Sequence, residues 1–311
     1  MTEQGWDHWQ NRSGSEALRS LAPEAAVILD QLSRSIALPP DLSRTLRQAA
    51  ASAYGLAHLG PATPDRAGQK SEASPTPAEV PTIMVRFTEQ FVLDVSIIDD
   101  ASRGQFLAAT GDTTFGAIQT IWLADMTPRV RSTLDQIFGI SDWDVSEPVL
   151  VKDSDLWATI DDFIRVVHNI KGLDPVLSEV VRLRGAREHN CRLCKSLRSR
   201  SALLAGADEE LFDSIDSDGQ PELSERSRTA AAFVDAFIWH PADLSDEFIM
   251  ELRELFDPAE VVELVLDVMR NAANKIAVAL GADAPNVTEG TEIYDIDEEG
   301  VAHYGLDAPQ Q

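Results

Sequence analysis

The chain has 311 residues, 44% of them hydrophobic, enough for about two ordinary domains with a sizeable packed core. Against 26 Lys and Arg stand 52 Asp and Glu, a formal net charge of -26; a field of that sign repels phosphate backbones and anionic lipid and argues against nucleic acid and membrane surfaces as partners. No secretory pattern opens the chain and no apolar run reaches the length of a membrane span, so a cytoplasmic protein is expected.

Residues 1–14 are polar apart from Trp6 and Trp9 and read as an arm. From Ser15, Leu18, Leu21, Ala25, Ile28, Leu29 and Leu32 recur at three and four residues, one apolar helical stripe that Pro39 and Pro40 end. Asp41 is placed to cap a second helix carrying Leu42, Leu46, Ala50 and Tyr54. Residues 60–81 hold five prolines and almost nothing to bury, the composition of a flexible linker. Helical periodicity resumes at Met84 and runs through Phe87, Phe91 and Val95. A further helix is expected over 101–110 and another from Thr113 through Ile118 and Trp122. Pro128 then starts a helix that Gly139 closes.

Residues 140–155 read as a connector. Beyond it, helices are expected over 156–170, 174–189, 191–205, 224–239, 245–255 and 258–280, with Asp174-Pro175, Ser224 and Asp257-Pro258 as starts and Gly206 and Gly281 as C-caps. The last segment, 283–311, is either an acidic tail or a small β-hairpin formed by 292–296 and 301–304.

The two halves resemble each other. Phe87 to Phe91 parallels Phe233 to Phe237, and Pro40 to Arg44 parallels Pro175 to Glu179, with Arg47 opposite Arg182. One helical unit used twice is the expectation, over 15–139 and 156–282. In that register Leu56 and Leu59 stand opposite Cys191 and Cys194, so only the second copy carries thiols.

Those two cysteines are the chain's clearest chemistry. A Cys-x-x-Cys at the start of a helix puts two thiols one turn apart, close enough to share a proton or close a disulfide. Asn190 is a plausible N-cap, and the helix N-terminus together with Arg192, Lys195, Arg198 and Arg200 lowers a thiol pKa. On a helix, Arg198 shares a face with both cysteines. Glu179, twelve residues before Cys191, folds back towards the thiols through a helix-turn-helix, and His189 is a second candidate proton carrier. The blander readings are two small core residues or half of a zinc site. Zinc needs further ligands, and there is no third cysteine and only six scattered histidines.

The stretch Leu177-Ser178-Glu179-Val180-Val181-Arg182-Leu183-Arg184 followed by Cys191-Arg192-Leu193-Cys194 resembles the carboxymuconolactone decarboxylase and alkylhydroperoxidase D-like family. The likeness continues through Leu223 to Arg226, the His240 to Asp246 loop and Pro258 to Leu264. It implies an all-α fold and a thiol-dependent peroxidase in which Cys194 reacts with peroxide through a sulfenic acid, Cys191 donates a proton and then resolves it to a disulfide, and Glu179 relays protons. It implies no cofactor or metal; a dithiol donor such as thioredoxin or a lipoyl protein and homo-oligomerisation are implied partners. One position departs: the family's histidine, four residues after the second cysteine, is Arg198, which orients oxygen but is no base. That departure motivates a non-catalytic redox sensor or assembly module as an alternative. A lactone decarboxylase-like lyase is a further one, less favoured because that chemistry needs no thiol pair.

Overall fold

In the computed structural model, the residues described are 5–9, 12–57, 82–143, 147–215 and 222–309; the expected linker at 60–81, and with it Leu59, lies outside them. The N-terminal segment is packed where described: the one-turn α1 (Trp6–Trp9) sets Trp6 and Trp9 against Phe138, ring centroids 5.4 and 5.9 Å away. The stripe from Leu18 to Leu32 divides into α2 (Gly14–Leu21) and α3 (Pro23–Arg34). Pro23 takes the first position of a new helix, where its missing N–H costs nothing. Pro40 does the same for α4 (Pro40–Ala53), which puts Asp41, expected as the cap, inside the first turn.

Next come α5 (Thr82–Leu93), α6 (Asp100–Thr110), whose N-terminus Asp99 caps, and α7 (Thr114–Phe138). A helix start at Pro128 was expected, yet α7 runs straight through it. An internal proline costs about 3 kcal/mol, and α7 offsets this by burying Trp122, Met126, Val130 and Leu134 in the centre of the molecule. Short β1 (Ser35–Ile36) pairs in parallel with β2 (Val149–Leu150).

The second half opens with α8 (Asp153–His168) and α9 (Pro175–Glu188), as periodicity suggests. The single helix expected over 191–205 is instead α10 (Arg192–Lys195), β3 (Leu197–Ser199) and α11 (Arg200–Leu204), followed by α12 (Glu209–Ser214). Then α13 (Glu225–Trp239) and α14 (Asp246–Leu255) lead to α15 (Pro258–Asn271) and α16 (Asn274–Leu280). These last two were expected as one helix. The Ala272 carbonyl is taken at the break by the Trp122 indole N–H, 3.0 Å away.

Of the two expectations for the C-terminus, the hairpin is the one observed. β4 (Glu292–Ile296) and β5 (Ala302–Leu306) pair antiparallel about a turn in which Gly300 has φ 77°. β4 also pairs in parallel with β3, Leu197 opposite Glu292. The fold is therefore all-α with a small sheet beside the cysteine segment.

Helix packing repeats between the halves. α4 packs on α5 and α7 as α9 packs on α13 and α15, and α5 meets α6 as α13 meets α14. The helices α3 and α8, and α7 and α15, which hold equivalent places in the two halves, also pack on each other. One hydrophobic core runs through both and includes Phe87, Phe91 and Trp122 from the first, Phe163, Phe233 and Phe237 from the second. Among the described residues, no helix is long and apolar enough to cross a membrane.

Candidate redox site

Asp174 fixes the start of α9: its carboxylate accepts the Leu177 N–H at 3.0 Å, with Pro175 in the first turn. The other end of α9 places the cysteines. Asn190 adopts a left-handed conformation, φ 52°, and lets the Cys191 N–H reach the Ala186 carbonyl and the Asn190 N–H the Arg187 carbonyl, both at 2.9 Å. Asn190 thus terminates α9 and does not cap the following helix, contrary to the sequence expectation. Cys191 itself is the N-cap of α10, its sulfur accepting the Cys194 N–H at 3.2 Å.

Cys191 and Cys194 are disulfide-bonded, their Cα atoms 5.3 Å apart. Their surroundings differ: Cys191 is 1% exposed and belongs to the core, whereas Cys194 is half-buried. The segment is anchored by Asp283, just after α16. Its carboxylate accepts the Arg192 N–H at 2.9 Å and pairs with the Arg192 guanidinium at 2.6 Å, while its carbonyl accepts the Leu193 N–H. These contacts hold the Asp283 carboxyl below the usual carboxylate range, the hydrogen bonds to Arg192 outweighing the effect of burial.

Glu179 is buried, but it is spoken for. Arg182 grips both its oxygens at 2.6 and 2.7 Å, the Ser199 N–H adds a bond at 2.9 Å, and the Tyr294 hydroxyl lies 3.3 Å away. Arg182 continues to the Cys194 and Leu197 carbonyls, each at 2.9 Å. Burial opposes the guanidinium's charge, but Glu179 outweighs it and raises the pKa above the ordinary arginine value. Glu179 therefore reaches the cysteine segment through Arg182 and a backbone carbonyl. No hydrogen bond links it to either sulfur.

Arg198 lies in β3, which takes it off the helical face expected to carry it past the thiols. It is buried, with Nε 2.9 Å from Glu209, Nη1 on the Lys195 and Leu197 carbonyls at 2.9 and 3.0 Å, and the Phe212 ring 5.4 Å beneath it. His189 caps α9 and turns Nδ1 to the Asn274 side chain at 3.0 Å; its Nε2 has no hydrogen-bond partner among the described residues. Burial first, then the nearby Lys275, hold its pKa well below 6.5, so the ring is neutral. The cysteines are thus brought together as the spacing predicts, whereas Glu179, Arg198 and His189 each answer to another partner.

Arg182, Asp283 and Tyr294 are structural members of the site that sequence reasoning did not assign. Arg182 stands three residues after Glu179, a helical charge-pair spacing that was legible. Asp283 and Tyr294 arrive from about a hundred residues away and leave no local signal.

No protein-family model matches the chain, and no solved structure matches it. Two proteins of Mycobacterium tuberculosis do, the uncharacterized proteins MT2376 and Rv2313c, each 39% identical over 298 residues that cover 91% of this chain and 100% of the relative. The chain belongs to their family.

Proposed function

We propose that the protein is a thiol-dependent peroxidase of the alkylhydroperoxidase D-like type, working through Cys191 and Cys194. What carries the reading is the asymmetry of the pair: a buried cysteine whose sulfur receives a backbone N–H, bonded to an only partly buried one. In the dithiol form, the Cys194 thiolate attacks a peroxide oxygen; the O–O bond breaks, an alcohol or water leaves, and a sulfenic acid remains. The Cys191 thiol then attacks that sulfur, releasing water and closing the disulfide. An external dithiol, from thioredoxin or a lipoyl protein, supplies two electrons and two protons to reopen it.

Glu179, His189 and Arg198 are engaged elsewhere, so the leaving oxygen is protonated by the Cys191 thiol or by water at the open side of Cys194. The same reading puts the protein in the reducing cytoplasm as a homo-oligomer. A second reading, a redox sensor, draws on one specific contact: Arg182 ties the Cys194 carbonyl to Glu179, which touches the C-terminal hairpin through Tyr294. Thiol titration before and after one equivalent of hydrogen peroxide is the decisive test, with peroxide consumption then followed under excess dithiothreitol. The peroxidase loses both thiols and turns over, and Cys194→Ser stops it. Oxidation without turnover selects the sensor, and unreactive thiols exclude both.

A further inference from the structure

A cavity of about 270 Å³ lies between the end of α8, the start of α9, α15 and β4; neither cysteine lines it. It is at the small end of ligand pockets, about 300–1,000 Å³, too small for a nucleotide or a peptide. Two ion pairs in its wall are already closed, Glu179 with Arg182 and Asp267 with Arg270 at 2.9 Å. Three charges are left over; Asp295 accepts the Ser201 hydroxyl at 2.8 Å, and the other two have no such side-chain donor or ion pair.

The first is Glu263 of α15, 2% exposed. Its Oε2 accepts the Gly172 and Leu173 N–H groups at 2.7 and 3.1 Å, whereas Oε1 has no hydrogen-bond partner among the described residues. Gly172 makes that approach feasible, since a Cβ there falls 2.6 Å from Oε2. A buried carboxylate with an open oxygen is costly until a donor meets it. Burial, then the neighbouring Asp267, push this one up to about 7. The second is Lys171, whose ammonium has the His168 ring nitrogen at 3.4 Å, feels the Asp267, Glu263 and Asp295 carboxylates from farther off, and forms no ion pair among the described residues. Both line the same space without pairing with each other, and Arg270 adds a further cation beside Lys171.

We infer that this cavity binds a free α-amino acid with an apolar side chain: its ammonium on Glu263, its carboxylate on Lys171, and its side chain against Ile170, Leu173 and Ile296. An anion alone leaves Glu263 facing empty space, and an amine alone leaves Lys171 unanswered. A zwitterion satisfies both, and Ile170, Leu173 and Ile296 give its side chain an apolar wall.

Isothermal titration calorimetry of the full chain with L-leucine, at about pH 8 where Glu263 is ionised, tests this against two half-ligands, 4-methylpentanoate and 3-methylbutylamine. Leucine is expected to bind, with each half-ligand weaker by about tenfold or more. Glu263→Gln, which keeps an oxygen for the two backbone N–H groups, is expected to weaken leucine by a similar factor, and so is Lys171→Met at an exposed position that tolerates change. Unchanged binding in Lys171→Met, a half-ligand that binds as tightly as leucine, or no heat from leucine, valine or phenylalanine overturns the assignment. Neither cysteine takes part, so the outcome is independent of the redox reading.

Discussion

Glu179 and Arg182 show how a residue read correctly as special is assigned a different task by its partners. The spacing from Glu179 to the Cys-x-x-Cys suggested a proton carrier, and the structure makes it half of a buried ion pair, its side chain 1% exposed and that of Arg182 11%. Removing one member of such a pair strands a buried charge. Arg182→Ala is expected to lower stability by roughly 3–5 kcal/mol in urea denaturation, and Glu179→Gln combined with Arg182→Met by clearly less. Equal losses would mean that leaving Glu179 without its cation carries no penalty of its own. Glu263 on α15 and His168 at the end of α8 are shifted in ways that act on stability in opposite directions. Glu263 has its folded pKa raised to about 7, so the folded state holds the proton more tightly, and this group's contribution falls as pH rises from 4.5 to 7. His168 is held down to about 4 by burial and then by Lys171 and Arg270, so its contribution rises as pH climbs from 4 to 6.5. Glu263→Gln is therefore expected to gain stability relative to the parent with rising pH, by up to roughly 3 kcal/mol above pH 7. His168→Gln is expected to lose relative stability over the same window. Melting temperatures across pH 4 to 8 read both.

At the scale of elements, local periodicity served well wherever a helix is long and its partners are helices, as for α8, α9, α13 and α14. It failed between Cys191 and Ala205 for a physical reason. Three backbone groups there are claimed from far away: the Ser199 N–H by Glu179, the Leu197 carbonyl by Arg182, and the Ser196 carbonyl by the Glu292 N–H at 2.8 Å. A stretch whose hydrogen bonds are committed to distant residues cannot complete a helix ladder, and nothing within fifteen residues announces that. The same reasoning explains why the C-terminus could be read as tail or hairpin: the strand β4 is fixed by β3, which was itself unread. Deleting residues 291–311 removes that support. The deletion is expected to leave the helical circular dichroism intact while the amides of Leu197 to Ser199 exchange with solvent at least about tenfold faster. Unchanged protection there would show that β3 does not depend on the hairpin.

At the scale of the whole molecule, the repeat visible as Phe87 and Phe91 against Phe233 and Phe237 has its counterpart in a shared centre. Arg129, 1% exposed, reaches the Val92 carbonyl of the first repeat at 3.0 Å and the Ile238 carbonyl of the second at 2.7 Å. Those residues each follow the second phenylalanine by one position. Asp125 holds Arg129 through Nε at 2.6 Å and also pairs with Lys275, which comes from the other half and which burial pulls down to about 8. Charges buried this deeply persist only because both repeats supply their partners. Neither half therefore owns a complete core: Trp122 donates to Ala272, Lys275 lies over the Phe91 ring, and the helices α7 and α15 bury each other. The full chain is expected to lose its near-ultraviolet tryptophan signal and its helical circular dichroism in one coincident urea transition. Residues 147–309 expressed alone, although they contain both cysteines and the hairpin, are expected to lack a cooperative transition. A stable, cooperatively unfolding fragment would show that the second repeat is a self-sufficient domain and that the central ion cluster merely joins two finished units.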